Sequence, residues 1–135
     1  MYLLDTNVIS ELRKPKPHGA VLAWLSAIDD SKLHLSAVTI GEIQAGIEIT
    51  REQDMAKAVE IERWLDQVSD TFNVIGMSAA IFRMWAKLVH CKQDHLIEDA
   101  MIAATAVALG LIVVTRNVRD FDGFGVKVFD PFQVP

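Results

Sequence analysis

Apolar positions along this chain alternate between two rhythms. Short apolar runs at Tyr2-Leu3-Leu4, Leu33 to Ser36, Phe72 to Ile75, Leu111 to Val114 and Val126 to Phe129 read as strands. Between them the apolar residues fall at helical spacing. Val21, Trp24, Leu25 and Ile28 form one stripe, and Ile40, Ile43 and Ile47 form another within a helix from Thr39 through Ile49. Ala58, Ile61, Leu65 and Val68 make a third, and Phe82, Trp85, Ala86 and Val89 a fourth. A last helix covers Glu98 to Leu109, with Gly110 at the position that ends helices. The run Leu111-Ile112-Val113-Val114 suits a strand covered on both faces. Strands alternating with helices predict an α/β fold with a central, mostly parallel sheet, helices on both faces and right-handed crossovers. No repeat, low-complexity segment or linker interrupts the pattern, so residues 1–135 are expected to form a single domain.

Composition adds constraints. Hydrophobic residues make up 51 % and charged residues 23 %, enough apolar surface for a real core. The three tryptophans, Trp24, Trp64 and Trp85, all lie in helical stripes and are expected in that core. The single cysteine, Cys91, excludes an internal disulfide framework and a cysteine zinc site; its helical apolar setting predicts a buried thiol. No positive leader precedes the first apolar run, which Asp5 interrupts. The longest uncharged stretch, Ala100 to Thr115, is shorter than the roughly 20 residues of a membrane span. A cytoplasmic protein with no membrane segment is expected. The formal net charge of -5 speaks against direct phosphate binding, unless carboxylates hold metal where the phosphate would sit.

The acids are placed accordingly. Ligands of open α/β sheets bind beyond the carboxyl ends of the strands. Asp5 ends the first strand, and Asp120 follows the Leu111–Val114 strand by a few residues. Glu42 lies in the helix after the second strand, where Ala45 and Gly46 one turn on leave open space. Asp99 begins a helix whose Ile102, Ala103 and Ala106 are apolar or small, so it aligns with an inward face; its position also suits the helix dipole. Glu98 is turned about 100° from it. Converging carboxylates repel one another and need a cation among them, and oxygen ligands select hard ions such as Mg²⁺ or Mn²⁺. Thr6 and Asn7 after Asp5, and Thr115, Arg116 and Asn117 before Asp120, flank the same edge, as supports for the carboxylates or as substrate contacts.

Four blocks then carry a resemblance. Leu4-Asp5-Thr6-Asn7-Val8-Ile9-Ser10-Glu11-Leu12, Ser36 through Glu42 to Gly46, Glu98-Asp99-Ala100-Met101-Ile102-Ala103-Ala104-Thr105-Ala106, and Val114-Thr115-Arg116-Asn117 with Asp120-Phe121 together resemble PIN-domain nucleases, and among them the VapC toxins of toxin–antitoxin pairs, on the FitB-like branch. The resemblance implies a Rossmann-like sheet, Mg²⁺- or Mn²⁺-dependent endoribonuclease activity at Asp5, Glu42, Asp99 and Asp120, and a cognate, VapB-like antitoxin. It also implies a homodimer that builds a higher assembly with that antitoxin. The loop Cys91 to Ile97 lacks the glycine and proline many relatives carry before the third acid, and Asp122 is the alternative to Asp120.

Arg13, Lys14, Lys16 and His18, with Arg116 and Arg119, offer a partial path for RNA; a cationic helix end explains the first four equally well. His18, His34, His90 and His95 show no spacing that pairs an acid with a base. Two other readings exist: a non-catalytic binding module of the same fold, acting through an antitoxin or nucleic-acid partner, and a phosphatase with an aspartyl nucleophile. The second commonly wants another aspartate two residues after the first, where this chain has Asn7.

Overall fold

A computed structural model describes residues 1–90, 92 and 97–133. The expectations for Cys91, for His95 and for most of the loop before Asp99 lie outside the described residues. Five strands, β1 (Tyr2–Leu4), β2 (Leu33–Ser36), β3 (Asn73–Ile75), β4 (Ile112–Val114) and β5 (Val128–Phe129), form one sheet in the order β3-β2-β1-β4-β5. Every ladder is parallel, with Leu4 opposite both Leu35 and Val114. The helices are α1 (Thr6–Ile9), α2 (Gly19–Ala27), α3 (Ala37–Arg51), α4 (Met55–Thr71), α5 (Ala79–Val89) and α6 (Ile97–Leu109). Short 3-10 segments follow α1 (Ser10–Arg13) and β4 (Val118–Phe124).

Strand alternation divides the core. Leu4, Leu35 and Val114 face Val8 and Ile9 of the α1 segment, Val21 and Leu25 of α2 and Val68 of α4. Leu3 and Val113 face the other way, onto Ala100, Ile102, Ala103 and Ala106 of α6, with Trp85 and Leu88 of α5 behind. Ile47, Ala58 and Leu65 lock α3 to α4. Helices therefore cover both faces, as the apolar pattern predicts. All three tryptophans pack at the margins of these clusters. Among the described residues no helix is long and apolar enough to cross a membrane.

Element boundaries follow local chemistry. Ser36 accepts the Val38 amide at 3.1 Å, so α3 starts at Ala37, two residues before the expected Thr39. Asp54 caps α4 through the Lys57 amide at 3.0 Å, and Ser78 caps α5 through Ile81 at 3.2 Å. Gly110 takes φ +67° after α6, a conformation that costs glycine little.

Strand order sets the functional edge. The chain passes from β1 to β2 on one side, then returns to place β4 on β1's other side. The topological switch point thus lies between β1 and β4, and a crevice opens beyond their carboxyl ends. Asp5 and Thr115 are the first residues past those two ends.

Candidate active site

Asp5 is built into the crevice by its neighbours. Its backbone N–H donates to the Val114 carbonyl at 2.9 Å, continuing the ladder for one bond after β1 ends. Extended φ and ψ then let its side chain cap α1, with Oδ1 accepting the Thr6 amide at 2.9 Å. Oδ2 accepts the Thr115 hydroxyl at 2.8 Å and Asn7 Nδ2 at 3.2 Å. Thr115, fully buried, in turn accepts Asn7 Nδ2 at 3.1 Å and the Asn117 amide at 3.0 Å. Asn7 Oδ1 accepts the Arg116 amide at 3.0 Å. One network therefore spans the switch point and joins Asp5, Asn7, Thr115, Arg116 and Asn117. Thr6 stands beside it and donates to Thr39 Oγ1 of α3 at 3.3 Å.

Asp120 rides on the 3-10 turn after β4. Phe121 and Phe124 are buried and fix that turn against the α6 face of the core. Its amide donates to the Asn117 carbonyl at 3.1 Å, and its charge reaches Asp5. Asp122, by contrast, is exposed. Glu42 projects from α3, half-buried, and with Thr6, Ser10, Arg13 and Gly46 lines a cavity of about 310 Å³. A side chain on Gly46 would meet nothing within 4 Å, which is the open space expected there. Asp99, half-buried in the first turn of α6, acts on Glu42 through its charge.

One residue departs from expectation. Glu98 was to turn away from the acids, yet its carboxyl hydrogen-bonds Glu42 and raises its pKa. The helical period fixes Glu98 relative to Asp99, but what stands opposite depends on how α3 packs across α6. The adjacent acids Glu98-Asp99 at the head of a helix were the visible signal. Glu11 is a second residue the site reading passed over. It is buried, accepts the His18 amide at 2.8 Å and pairs with Lys14 Nζ at 2.9 Å. The Lys14 hydrogen bond, with the His18 amide and the Arg116 charge, holds its carboxyl below the ordinary range. Lys14 is thus engaged within the chain.

The electrostatics are those of crowded acids. Burial pushes Asp5 up, against its three hydrogen bonds, and Asp120 adds to the rise. Burial likewise raises Glu42 from 4.5 to about 7, with Glu98, Asp5 and Asp99 contributing. Among the described residues no three His, Cys, Asp or Glu side chains stand close enough together to hold an ion as they are placed. The donors are nonetheless all oxygen, and a dication would lower the repulsion that raises both carboxyls, so the set suits Mg²⁺ or Mn²⁺. His18 caps α2 through the Ala20 amide at 3.2 Å, His34 contacts Met1 Sδ at 3.4 Å and His90 is exposed; none of the three is hydrogen-bonded to another.

A pH dependence follows. Folded Glu42 keeps its proton up to about pH 7, whereas the unfolded chain releases it near 4.5. The folded state then binds more protons across that window, so metal-free stability falls as pH rises through it. Allowing for screening of a half-buried group, the loss is about 2 kcal/mol. The lowered Glu11 and Glu48 act in the opposite sense, but below that window. Metal-free protein should therefore melt lower at about pH 8 than at about pH 5, and Glu98→Gln should narrow the gap. A flat profile would show that neither burial nor the neighbouring acids raise Glu42.

Comparison with known proteins places this geometry. The PIN-domain family model matches residues 2–126. The chain is similar to the VapC ribonuclease Y4jK of Sinorhizobium fredii, at 34 % identity over 98 % of this chain and 99 % of that one. It is also similar to FitB, a toxin of Neisseria gonorrhoeae, at 33 % identity over 98 % of this chain and 99 % of that one. The crystal structure of FitAcB from the same organism superposes with a TM-score of 0.87 at 31 % identity, over 99 % of this chain and all of that one. A toxin–antitoxin complex from Klebsiella pneumoniae superposes with a TM-score of 0.75 at 27 % identity, over 99 % of this chain and all of that one. With a family model matched across most of its length and full-length relatives above 30 % identity, the chain belongs to the PIN-domain family, on the branch that holds VapC and FitB.

Proposed function

We propose that this chain is a Mg²⁺- or Mn²⁺-dependent endoribonuclease that acts in the cytoplasm as the toxin of a toxin–antitoxin pair, with residues 1–135 as a single domain. One observation supports the reading most: Asp5 is buried at the sheet's switch point on hydrogen bonds from Thr6, Asn7 and Thr115, with Asp120 near enough to act on its charge, while Asp5 and Asp99 act in turn on Glu42. These four are the residues that would hold the ion. A bound dication supplies charge to offset the phosphate and makes water more acidic. Thr115, Asn7 and Asn117 fix Asp5 and the turn that leads to Asp120, while Thr6 ties the start of α1 to α3.

The relatives support the biological role, with a ribonuclease and a toxin–antitoxin complex among them. A VapB-like antitoxin partner is part of the proposal. So is a homodimer, for which Phe82 and Ile97 offer an exposed apolar patch linked through Trp85, whose Nε1 donates to the Ile97 carbonyl at 3.3 Å. The decisive experiment incubates purified protein with total RNA in Mg²⁺, in Mn²⁺ and in EDTA. Cleavage with either ion and none with EDTA is expected. Intact RNA in all three would favour the non-catalytic binding module.

A further inference from the structure

Arg116 is the first exposed residue after β4. Its backbone amide is tied to Asn7 Oδ1 at 3.0 Å, the asparagine that also holds Asp5. Its guanidinium lies over the ring of Phe132, with Cζ 4.1 Å from the centroid. Phe132 is itself fixed: it is buried, its amide donates to Asp130 Oδ1 at 2.9 Å, and the His18 ring meets it edge-on at 5.2 Å. The arginine is held, yet among the described residues its guanidinium makes no ion pair or hydrogen bond. Glu11 is near enough for the two charges to interact, but its oxygens are taken, Oε1 by the His18 amide and Oε2 by Lys14. A planar cation stacked on a ring leaves its N–H edges free, in the fork geometry that matches phosphate. Stacking also removes much of the rotamer freedom that binding would otherwise cost. In a chain of net charge -5, such a cation at the rim of an acidic crevice calls for an anion from outside.

We propose that Arg116 is a phosphate-binding residue for the RNA strand flanking the scissile bond, and that Phe132, carried by the C-terminal turn, is the positioning residue that holds it there. This rests on the ribonuclease reading and extends the site to the end of the described chain.

The test reads binding apart from cleavage. Anisotropy of a short fluorescein-labelled single-stranded RNA is titrated with protein in Ca²⁺, from about 50 to about 200 mM KCl. For single strands, each phosphate contact adds about 0.7 to the slope of log affinity against log salt. Arg116→Ala should reduce that slope by about 0.7 and weaken binding at every salt concentration. Arg116→Lys, which keeps the charge but not the planar fork, should keep the slope and bind more weakly than wild type. Phe132→Leu should weaken binding, while Phe132→Tyr, which retains the ring face, should not. Lys127→Ala, which removes a charge just before β5 at the opposite edge of the sheet, should leave the slope unchanged. An Arg116→Ala slope equal to wild type overturns this proposal alone, and so does loss of antitoxin binding without loss of RNA binding. Failure of the wild-type protein to bind RNA overturns the ribonuclease reading with it.

Discussion

Asp5→Asn is expected to lower metal-dependent RNA cleavage by about 10³-fold or more while the chain still folds. The substitution keeps size and removes one ligand charge. Its effect on metal-free stability is a balance. Losing a buried carboxylate that is pushed above its ordinary range relieves repulsion. Yet every polar contact of the Asp5 side chain is an acceptance: the Thr6 amide at one oxygen, Thr115 and Asn7 at the other. An amide group can present its oxygen to only one side, so a donor faces a donor at the other. A lost hydrogen bond of about 1 kcal/mol then offsets the relief, and the melting temperature should move by only a few degrees. Cleavage assays on wild type and variant at equal melting temperature separate the two effects. Full activity in the variant would remove Asp5 from the site.

The second large effect concerns the products. Metal-independent ribonucleases use the RNA's own 2′-hydroxyl, aided by an acid and a base that are often histidines. No such pair exists among the described histidines: His18 is occupied in a helix cap, His34 contacts Met1 Sδ and His90 is exposed. On the proposed metal-dependent reading, water is the expected nucleophile and the 3′ oxygen the leaving group, so 5′-phosphate and 3′-hydroxyl ends are expected. A substrate with 2′-O-methyl at the cleaved position should therefore still be cut, though more slowly, and EDTA should abolish cleavage of either substrate. End-mapping that finds 2′,3′-cyclic phosphates would overturn this chemistry.

Much of the fold is legible in the sequence, for identifiable reasons. The sheet could be read because strands buried on both faces need unbroken apolar runs, and Leu111 to Val114 is one. Asp5 could be placed because a strand's carboxyl end is a position in sequence as well as in space. The bond between Asp5 and Thr115 could not, since nothing in either segment states which strands become neighbours across 110 residues. Glu98 shows a similar limit: periodicity relates side chains on one helix and is silent about the helix across from it. Glu11 looked like any surface glutamate, and its burial arises from a loop that folds back to offer the His18 amide. β5 shrank to two residues because the 3-10 turn through Phe124 and left-handed Gly125 consume the chain before it.

Placement of β1 at the centre of the sheet has a consequence during synthesis on the ribosome. Asp5 is translated 110 residues ahead of Thr115, whose hydroxyl holds its Oδ2. Nascent chains can dock β1 on β2 early, but β1's other edge stays open until β4 emerges. At about 5–20 residues per second, that interval lasts several seconds at least. An unfinished copy would thus carry the first acid of the proposed site without its partners, and any activity of that site would wait for β4.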